Sequence, residues 1–434
     1  MAAFLSVQVR SCYNIFRFNL PLLLIQKGSF MQQQTQVPII KKGDRKTLLA
    51  STLGYAMDGL DIMILAFAMI LIKAEFGLTD AEGGMIQTIT LIGTVIGGIF
   101  FGMLADKFGR VRVFNWTILL FSIFTGLAAI STSAEMFTIF RFIAGLGLGG
   151  EFGIGMTLVA ETWPAHKRSR ATAVVAIGFQ VGIVLAALVS LLSPYIGWHG
   201  MFLIGALPAL LVWWTRRNLN EPEIWLQVKR ENRNKISIKP LFKDSRTTLT
   251  TIGLIIATSV QNFGFHGIMI WMPMMLAKEH NFTLSGTFFW TIITTIGMVI
   301  GTLTFGATSD KIGRRPTYIF FLLVSAAFVW IYFQQSNYYV LMFLGAVLGF
   351  FVNGMMGGYG ALLSEHYPTE ARSSAQNIIF NLGRGIAGFA PVIIGTLAMK
   401  HDISYALSLI SGVYLLSALS FIFLIPETKG KILD

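Results

Sequence analysis

The residues of this 434-residue chain with chemistry to perform are ionisable side chains set inside long apolar runs. A charge at membrane depth costs about 3 kcal/mol or more unless it is paired or used. Asp58 and Asp61 stand three apart in LASTLGYAMDGLDIMILAF, so a helix places both on one face. A low dielectric favours the neutral form of a carboxyl, and a second carboxyl nearby favours it further. One of the pair is thereby suited to carry a proton; the competing reading is two structural carboxylates bonded to a neighbouring helix or to backbone. Arg384, in NLGRGIAGF, presents a planar fork of donors that suits the carboxylate of a small anionic substrate. Alternatively it ties the molecule together by pairing with Asp58 or Glu151. Glu151 lies with Arg141 in RFIAGLGLGGEFG; it either joins the proton path or is a buried partner of Arg110 or Arg168. Gly145, Gly149 and Gly153 in the same run form a stripe suited to close helix packing. His266 either titrates or sits satisfied beside its aromatic neighbours, and Tyr55, Trp271, Asn353, Tyr359, Asn377 and Asn381 are candidate lining residues.

The elements that must position these groups are membrane-crossing helices. Apolar residues make up 54% of the chain and charged residues 12%, against roughly 25% charged in an average soluble domain. A bilayer can solvate that much apolar surface where a core cannot. Apolar runs recur near 49–72, 84–105, 113–132, 136–157, 172–194, 200–215, 249–276, 287–308, 316–334, 339–361, 375–399 and 404–424. Each is long enough to cross a hydrocarbon layer of ~30 Å. The alternating segments of about ten residues that an outer-membrane barrel needs are absent. The expected fold is an all-α membrane protein of twelve transmembrane helices.

The chain also repeats itself. GMLADKFGR at 102–110 and GATSDKIGR at 306–314 place Asp106 and Asp310 204 residues apart. At the same offset Glu161, Pro164 and Arg168 match Glu365, Pro368 and Arg372, while Pro222 and Glu223 match Pro426 and Glu427. A repeat of this kind outranks other fold signals. It divides the chain into an N-terminal segment 1–45, a six-helix bundle 46–215, a basic linker 216–247, a second bundle 248–425 and a tail 426–434. Gly102 and Gly306 would allow close helix approach, and Gly109 and Gly313 a tight turn. Asp106 and Asp310 sit at helix C-terminal ends, where the macrodipole disfavours an anion. They are better explained if each faces another helix's N-terminus or an arginine. Arg110, Arg168, Arg314 and Arg372 are the available partners, with Glu161 and Glu365 able to join. Such clusters make a gate that forms and breaks in alternate conformations; the plainer reading is a set of positive-inside anchors. The same offset pairs Asp58 with Asn262 and Arg384 with Gln180. All four are polar within apolar helices, which points to a shared cavity and favours Asp58 over Asp61 as the proton carrier.

These motifs carry a resemblance covering the chain from about residue 45 onward. The Gly-x-x-x-Asp-Lys-x-Gly-Arg loops resemble the signature of the major facilitator superfamily. The Glu-x-x-Pro-x-x-x-Arg segments, with PETKG at 426–430, are similar to its sugar and metabolite symporter branches. DGLD at 58–61 and ETWPAHKRSRA at 161–171 resemble its aromatic acid and sialic acid proton symporters. Thr308 and Ser309 before Asp310 depart from the signature. The resemblance implies two pseudo-symmetric six-helix bundles related by an axis along the membrane normal, with substrate near the midplane and access alternating as the bundles rock.

The formal charge of +12 is topological. With the N-terminus inside, 28 of the 33 Lys and Arg fall in inside segments, and only Lys73, Lys278 and Lys400 fall outside. This bias places both termini in the cytoplasm and removes nucleic acid as an expected partner. The single Cys12 excludes a disulfide framework. No spacing suggests a metal site or a phosphate-binding loop, so no cofactor and no enzymatic activity are expected. Residues 1–30 read as an extension outside the fold, because Met31 opens an ordinary polar start. The expected protein is a monomeric secondary transporter of a bacterial inner membrane. Its partners are the lipid bilayer, protons and a small organic anion (an aromatic acid, a sugar acid or another carboxylate) taken up by proton symport. The rivals are proton-driven export of hydrophobic compounds, whose usual Gly-Pro-rich motif is missing from GFQVGIVLAA at 178–187, and a non-transporting membrane sensor.

Overall fold

The computed structural model describes residues 43–231, 233, 237–282 and 284–433. The expectation about residues 1–30 lies outside them. Twelve helices among the described residues are long and apolar enough to cross a membrane. They are α1 (Arg45–Phe76), α2 (Glu82–Phe108), α3 (Arg110–Ala128), α4 (Ala134–Thr162), α5 (Ala165–Ser190), α6 (Ser193–Leu211), α7 (Ser245–Met269), α8 (Phe289–Ile312), α9 (Arg314–Tyr332), α10 (Tyr338–His366), α11 (Thr369–Ala398) and α12 (Ile403–Phe423). A short helix, Glu223–Arg230, lies between α6 and α7.

Local chemistry sets the helix limits. Asp44 caps α1, accepting from the Lys46 N–H at 2.9 Å and the Thr47 hydroxyl at 2.6 Å. The helix stops at Gly77, whose φ of 67° suits glycine. Thr79 and Glu82 form a reciprocal capping box at the start of the next helix. The sixth span is kinked at Gly197, whose φ is 60°; Pro194 opens a short turn before the kink, and the continuous helix starts just after it, close to the expected residue 200.

The repeat is visible in the packing. On α2, Gly93 and Gly97 press against the carbonyls of Phe142 and Leu146 on α4. On α8, Gly297 and Gly301 press against those of Ala346 and Phe350 on α10. Each of these residues is displaced from its counterpart by the same offset as Asp106 and Asp310. A Cβ at any of the four glycines would collide with backbone, so the crossing requires their absence of a side chain. At the end of the molecule away from Asp106, Glu75 accepts from the Trp198 indole N–H at 2.6 Å, tying α1 to α6. Glu279, where the α7 helix ends, accepts from the Ile403 N–H at 2.7 Å and the Ser404 hydroxyl at 2.5 Å, tying it to α12. These two glutamates also match across the repeat, an identity outside the quoted motifs. Between the halves, α11 packs on α2 and α4, and α5 packs on α8 and α10. Large apolar side chains such as Ile70, Phe100, Phe343 and Phe423 are exposed, which a bilayer would solvate.

Candidate functional site

Two sets of polar residues lie along the seam between the halves. The first joins the ends of α2, α4, α8 and α10 to the starts of α5 and α11. The Asp106 carboxylate accepts from the Ser373 N–H at 3.1 Å, the Ser374 N–H at 2.7 Å and the Ser374 hydroxyl at 2.5 Å. Asp310 accepts from the Ser169 and Arg170 N–H groups, both at 3.1 Å. Each anion thus escapes its own helix's unfavourable dipole by capping the N-terminus of a helix in the other half. Arg110 lies 3.1 Å from Asp106 and Arg314 3.0 Å from Asp310.

The glutamates complete the pattern. Glu161 takes two hydrogen bonds from Arg110, both 3.1 Å, and one from Arg372 of the other half at 2.7 Å. Glu365 takes two from Arg314, at 3.0 and 2.8 Å, and one from Arg168 of the other half at 2.8 Å. All eight charged groups are buried; removing Glu161 would take from buried Arg372 the carboxylate it pairs with, and removing Glu365 would do the same to Arg168, which is strongly unfavourable. Gly109 and Gly313 adopt φ of 114° and 119° between consecutive helices, where a side chain would be strained. Gly102 packs on Ser373 and Asn377 of α11, and Gly306 on Ser169 and Ala173 of α5.

Motif reading did not anticipate what surrounds this ring. Glu427 accepts from the Arg314 and Arg315 N–H groups at 2.9 Å each, capping α9. Its structural counterpart is Glu221, which accepts from the Val111 and Arg112 N–H groups at 3.2 and 3.0 Å. The sequence match of Glu223 to Glu427 is therefore out of register by two residues, and Glu223 instead pairs with exposed Arg230 at 3.1 Å. Burial pushes the Glu221 carboxyl above its ordinary value, opposed by the two backbone N–H groups that favour its charge. The Trp225 indole donates to the Asp106 carbonyl at 2.9 Å, and Thr428 donates to Glu365 at 2.6 Å.

The second set lies deeper. Asp61 and Asp58 have different partners on α4. Asp61 receives both Arg141 guanidinium nitrogens, at 3.0 and 2.8 Å, and the Thr125 hydroxyl at 2.6 Å. It is a buried, fully paired anion inside the first bundle. Asp58 and Glu151 are buried neighbours, and no oxygen of either carboxyl has a hydrogen-bond partner among the described residues. Two carboxylates held together in a low dielectric repel each other. Glu151 does not pair with Arg110 or Arg168, which are engaged by Glu161 and Glu365; it lies instead against Gly54 of α1.

Arg384 makes no ion pair with Asp58 or Glu151. It is nearly buried, its guanidinium 5.2 Å from the centre of the Phe380 ring and beside Tyr55 of the other half. Asn381 reaches the Gly149 carbonyl at 3.0 Å, and Gln180, with its amide oxygen turned toward α10, accepts from Asn353 at 2.6 Å. Both bonds cross the seam. Other candidates bond within the second half: the Asn262 amide donates to the Thr258 carbonyl at 2.8 Å, and the Tyr359 hydroxyl to the Ala257 carbonyl at 2.9 Å. The His266 ring is bonded to the Asn262 carbonyl at 2.8 Å. No group of metal-ligating side chains occurs among the described residues.

Comparison with known proteins agrees with this geometry. The chain matches the Major Facilitator Superfamily over residues 51–299 and 276–433. It is 49% identical over 397 residues to a putative metabolite transport protein of Haemophilus influenzae, covering 90% of this chain and 98% of that one. It is 31% identical to the sialic acid transporter NanX of Escherichia coli, over 89% of this chain and 95% of the relative. Its fold matches a solved structure of the proton:xylose symporter XylE with a TM-score of 0.76 at 21% identity, covering 89% of this chain and 97% of that one. With twelve membrane-length helices arranged as a duplicated bundle, this chain belongs to the major facilitator superfamily and is a multi-pass membrane transporter, not an enzyme.

Proposed function

We propose that this transporter takes up a small organic anion together with protons across a bacterial inner membrane. The observation that carries the reading is the meeting, at the seam, of a donorless carboxyl pair with an arginine that has no carboxylate. Asp58 and Glu151 belong to the first half and can hold one proton between them. Arg384 belongs to the second half and offers a fork that a substrate carboxylate can occupy. Tyr55 lies beside that fork, and a substrate carboxylate would give the fork a charged acceptor. Asp61, with its charge answered by Arg141, is assigned to holding α1 on α4 and not to carrying the proton.

The lysine and arginine bias puts the ring of Asp106, Glu161, Asp310 and Glu365 at the cytoplasmic mouth. In this conformation the ring closes that mouth; its breakage would release substrate inward. Sialic acid, which the NanX relative is named for carrying, is itself a carboxylate, and XylE is named a proton symporter. The test is uptake of a panel of radiolabelled carboxylates into proteoliposomes under an imposed pH gradient. Accumulation of at least one acid that collapses with the gradient is expected. No accumulation of any acid, alongside export of hydrophobic cations, would overturn the reading.

A further inference from the structure

We propose that the ring stack of Phe152 on Phe380 is an inner gate, a second closure in series with the ion-pair ring. The two rings lie 3.9 Å apart, inclined by 28°, and belong to α4 and α11 in opposite halves. Both are almost wholly buried. Tyr55 of α1 and Phe179 of α5 extend the layer, with Tyr55 4.9 Å from Phe152 and 5.3 Å from Phe179. Counted along the helices at 1.5 Å per residue, Phe380 lies about 12 Å inward of Arg372, and Phe152 about 13 Å inward of Glu161. Both routes from the ring reach the same depth. Arg384 lies one further turn inward, about 6 Å beyond Phe380. The aromatic layer therefore separates the anion anchor from the ring.

An apolar layer bars water and ions without any charge of its own, and parting two rings breaks no hydrogen bond. That suits a closure that must open in every cycle. The Arg384 guanidinium above the Phe380 ring also links the layer to the anchor. A substrate carboxylate that drew the fork away would leave Phe380 without its cation and ease the stack apart. This link rests on Arg384 binding the anion, as proposed above; the series arrangement does not. The plainer alternative is that two phenylalanines fill space at a helix crossing.

Substrate-free proton leak separates the two. The full chain is reconstituted with a trapped pH dye, a pH gradient is imposed, and leak is compared for wild type, Phe380→Ala, Asp106→Asn and the double variant. Two closures in series predict little leak from either single change and a double-variant leak at least about fivefold above their sum. Phe152→Ala with Asp106→Asn should behave alike, and Phe380→Leu should restore most of the seal. A double-variant leak equal to the sum, for both phenylalanines, would overturn the inner gate. Because no substrate is added, the result is independent of the carboxylate panel. Synergy with no acid uptake would keep the gate and discard the anion reading.

Discussion

Asp106→Asn tests the proposal that the ring closes the cytoplasmic mouth. The asparagine keeps one acceptor oxygen but turns an amide N–H toward the start of α11, where Ser373 and Ser374 now donate three hydrogen bonds to the carboxylate. Losing one charge-assisted bond is worth about 1.5–3 kcal/mol, and losing the charge at a buried helix N-terminus adds about 1–2 kcal/mol. A loss of about 2.5–5 kcal/mol lowers the closed-to-open ratio by about 60- to 4000-fold. Arg110 keeps its two bonds to Glu161, so most of the loss falls on closure and not on the fold. The assay uses a Cys12→Ser background with Thr172→Cys, a fully buried position whose hydroxyl now bonds the Gly357 carbonyl across the seam at 3.0 Å. Labelling by a membrane-impermeant maleimide from the cytoplasmic side should accelerate with the open population. Gradient-driven uptake should fall while the melting temperature holds. Asp310→Asn should have a smaller effect, since Asp310 caps with two backbone bonds and no hydroxyl. Wild-type labelling together with wild-type turnover in Asp106→Asn would refute the gate.

Arg384→Lys should weaken the half-saturation of whichever acid accumulates by at least about tenfold, the equivalent of one charge-assisted bond; unchanged affinity would return Arg384 to a purely structural tie. Asp61→Ala leaves Arg141 buried without its anion, a loss of about 3–5 kcal/mol. The expected readout is a marked fall in melting temperature, partly recovered by adding Arg141→Met. Glu221 binds its proton more tightly in the folded protein than in the unfolded chain. Its contribution is therefore complete below the ordinary glutamate value of about 4.3 and is lost as pH rises through the higher folded value. Melting in detergent across that window should be less pH-dependent in Glu221→Gln, which keeps one of the two capping acceptors; an identical pH profile would remove Glu221 as the cause.

Much of the ring was legible because the same offset relates its members in the two halves. The matched positions of Asp106, Glu161 and Arg168 with Asp310, Glu365 and Arg372 mark its members without any structure. Their partners were not legible. The offset makes Arg168 equivalent to Arg372, but it does not say that each crosses to the glutamate of the other half. Glu221 was hidden for a related reason: the loops after α6 and α12 differ in register, so the structural counterpart of Glu427 is not the residue that aligns with it. The deeper set shows the same limit. Spacing puts Asp58 and Asp61 on one face of α1, yet their fates diverge because α4 presents Glu151 opposite one and Arg141 opposite the other.

The amino-acid sequence by itself determined twelve apolar spans, a doubled chain and the positions of charges a bilayer would not tolerate unused. Those properties follow from hydropathy, helix length and periodicity, which are local. Only the tertiary structure decided which charge answers which, that the carboxyls of Asp58 and Glu151 meet without a donor, and that Phe152 and Phe380 stack across the seam. Such contacts depend on the rotation and depth of helices hundreds of residues apart, set by glycine crossings such as Gly97 on Leu146. Those crossings fix the distance between backbones and, with it, which side chains can touch.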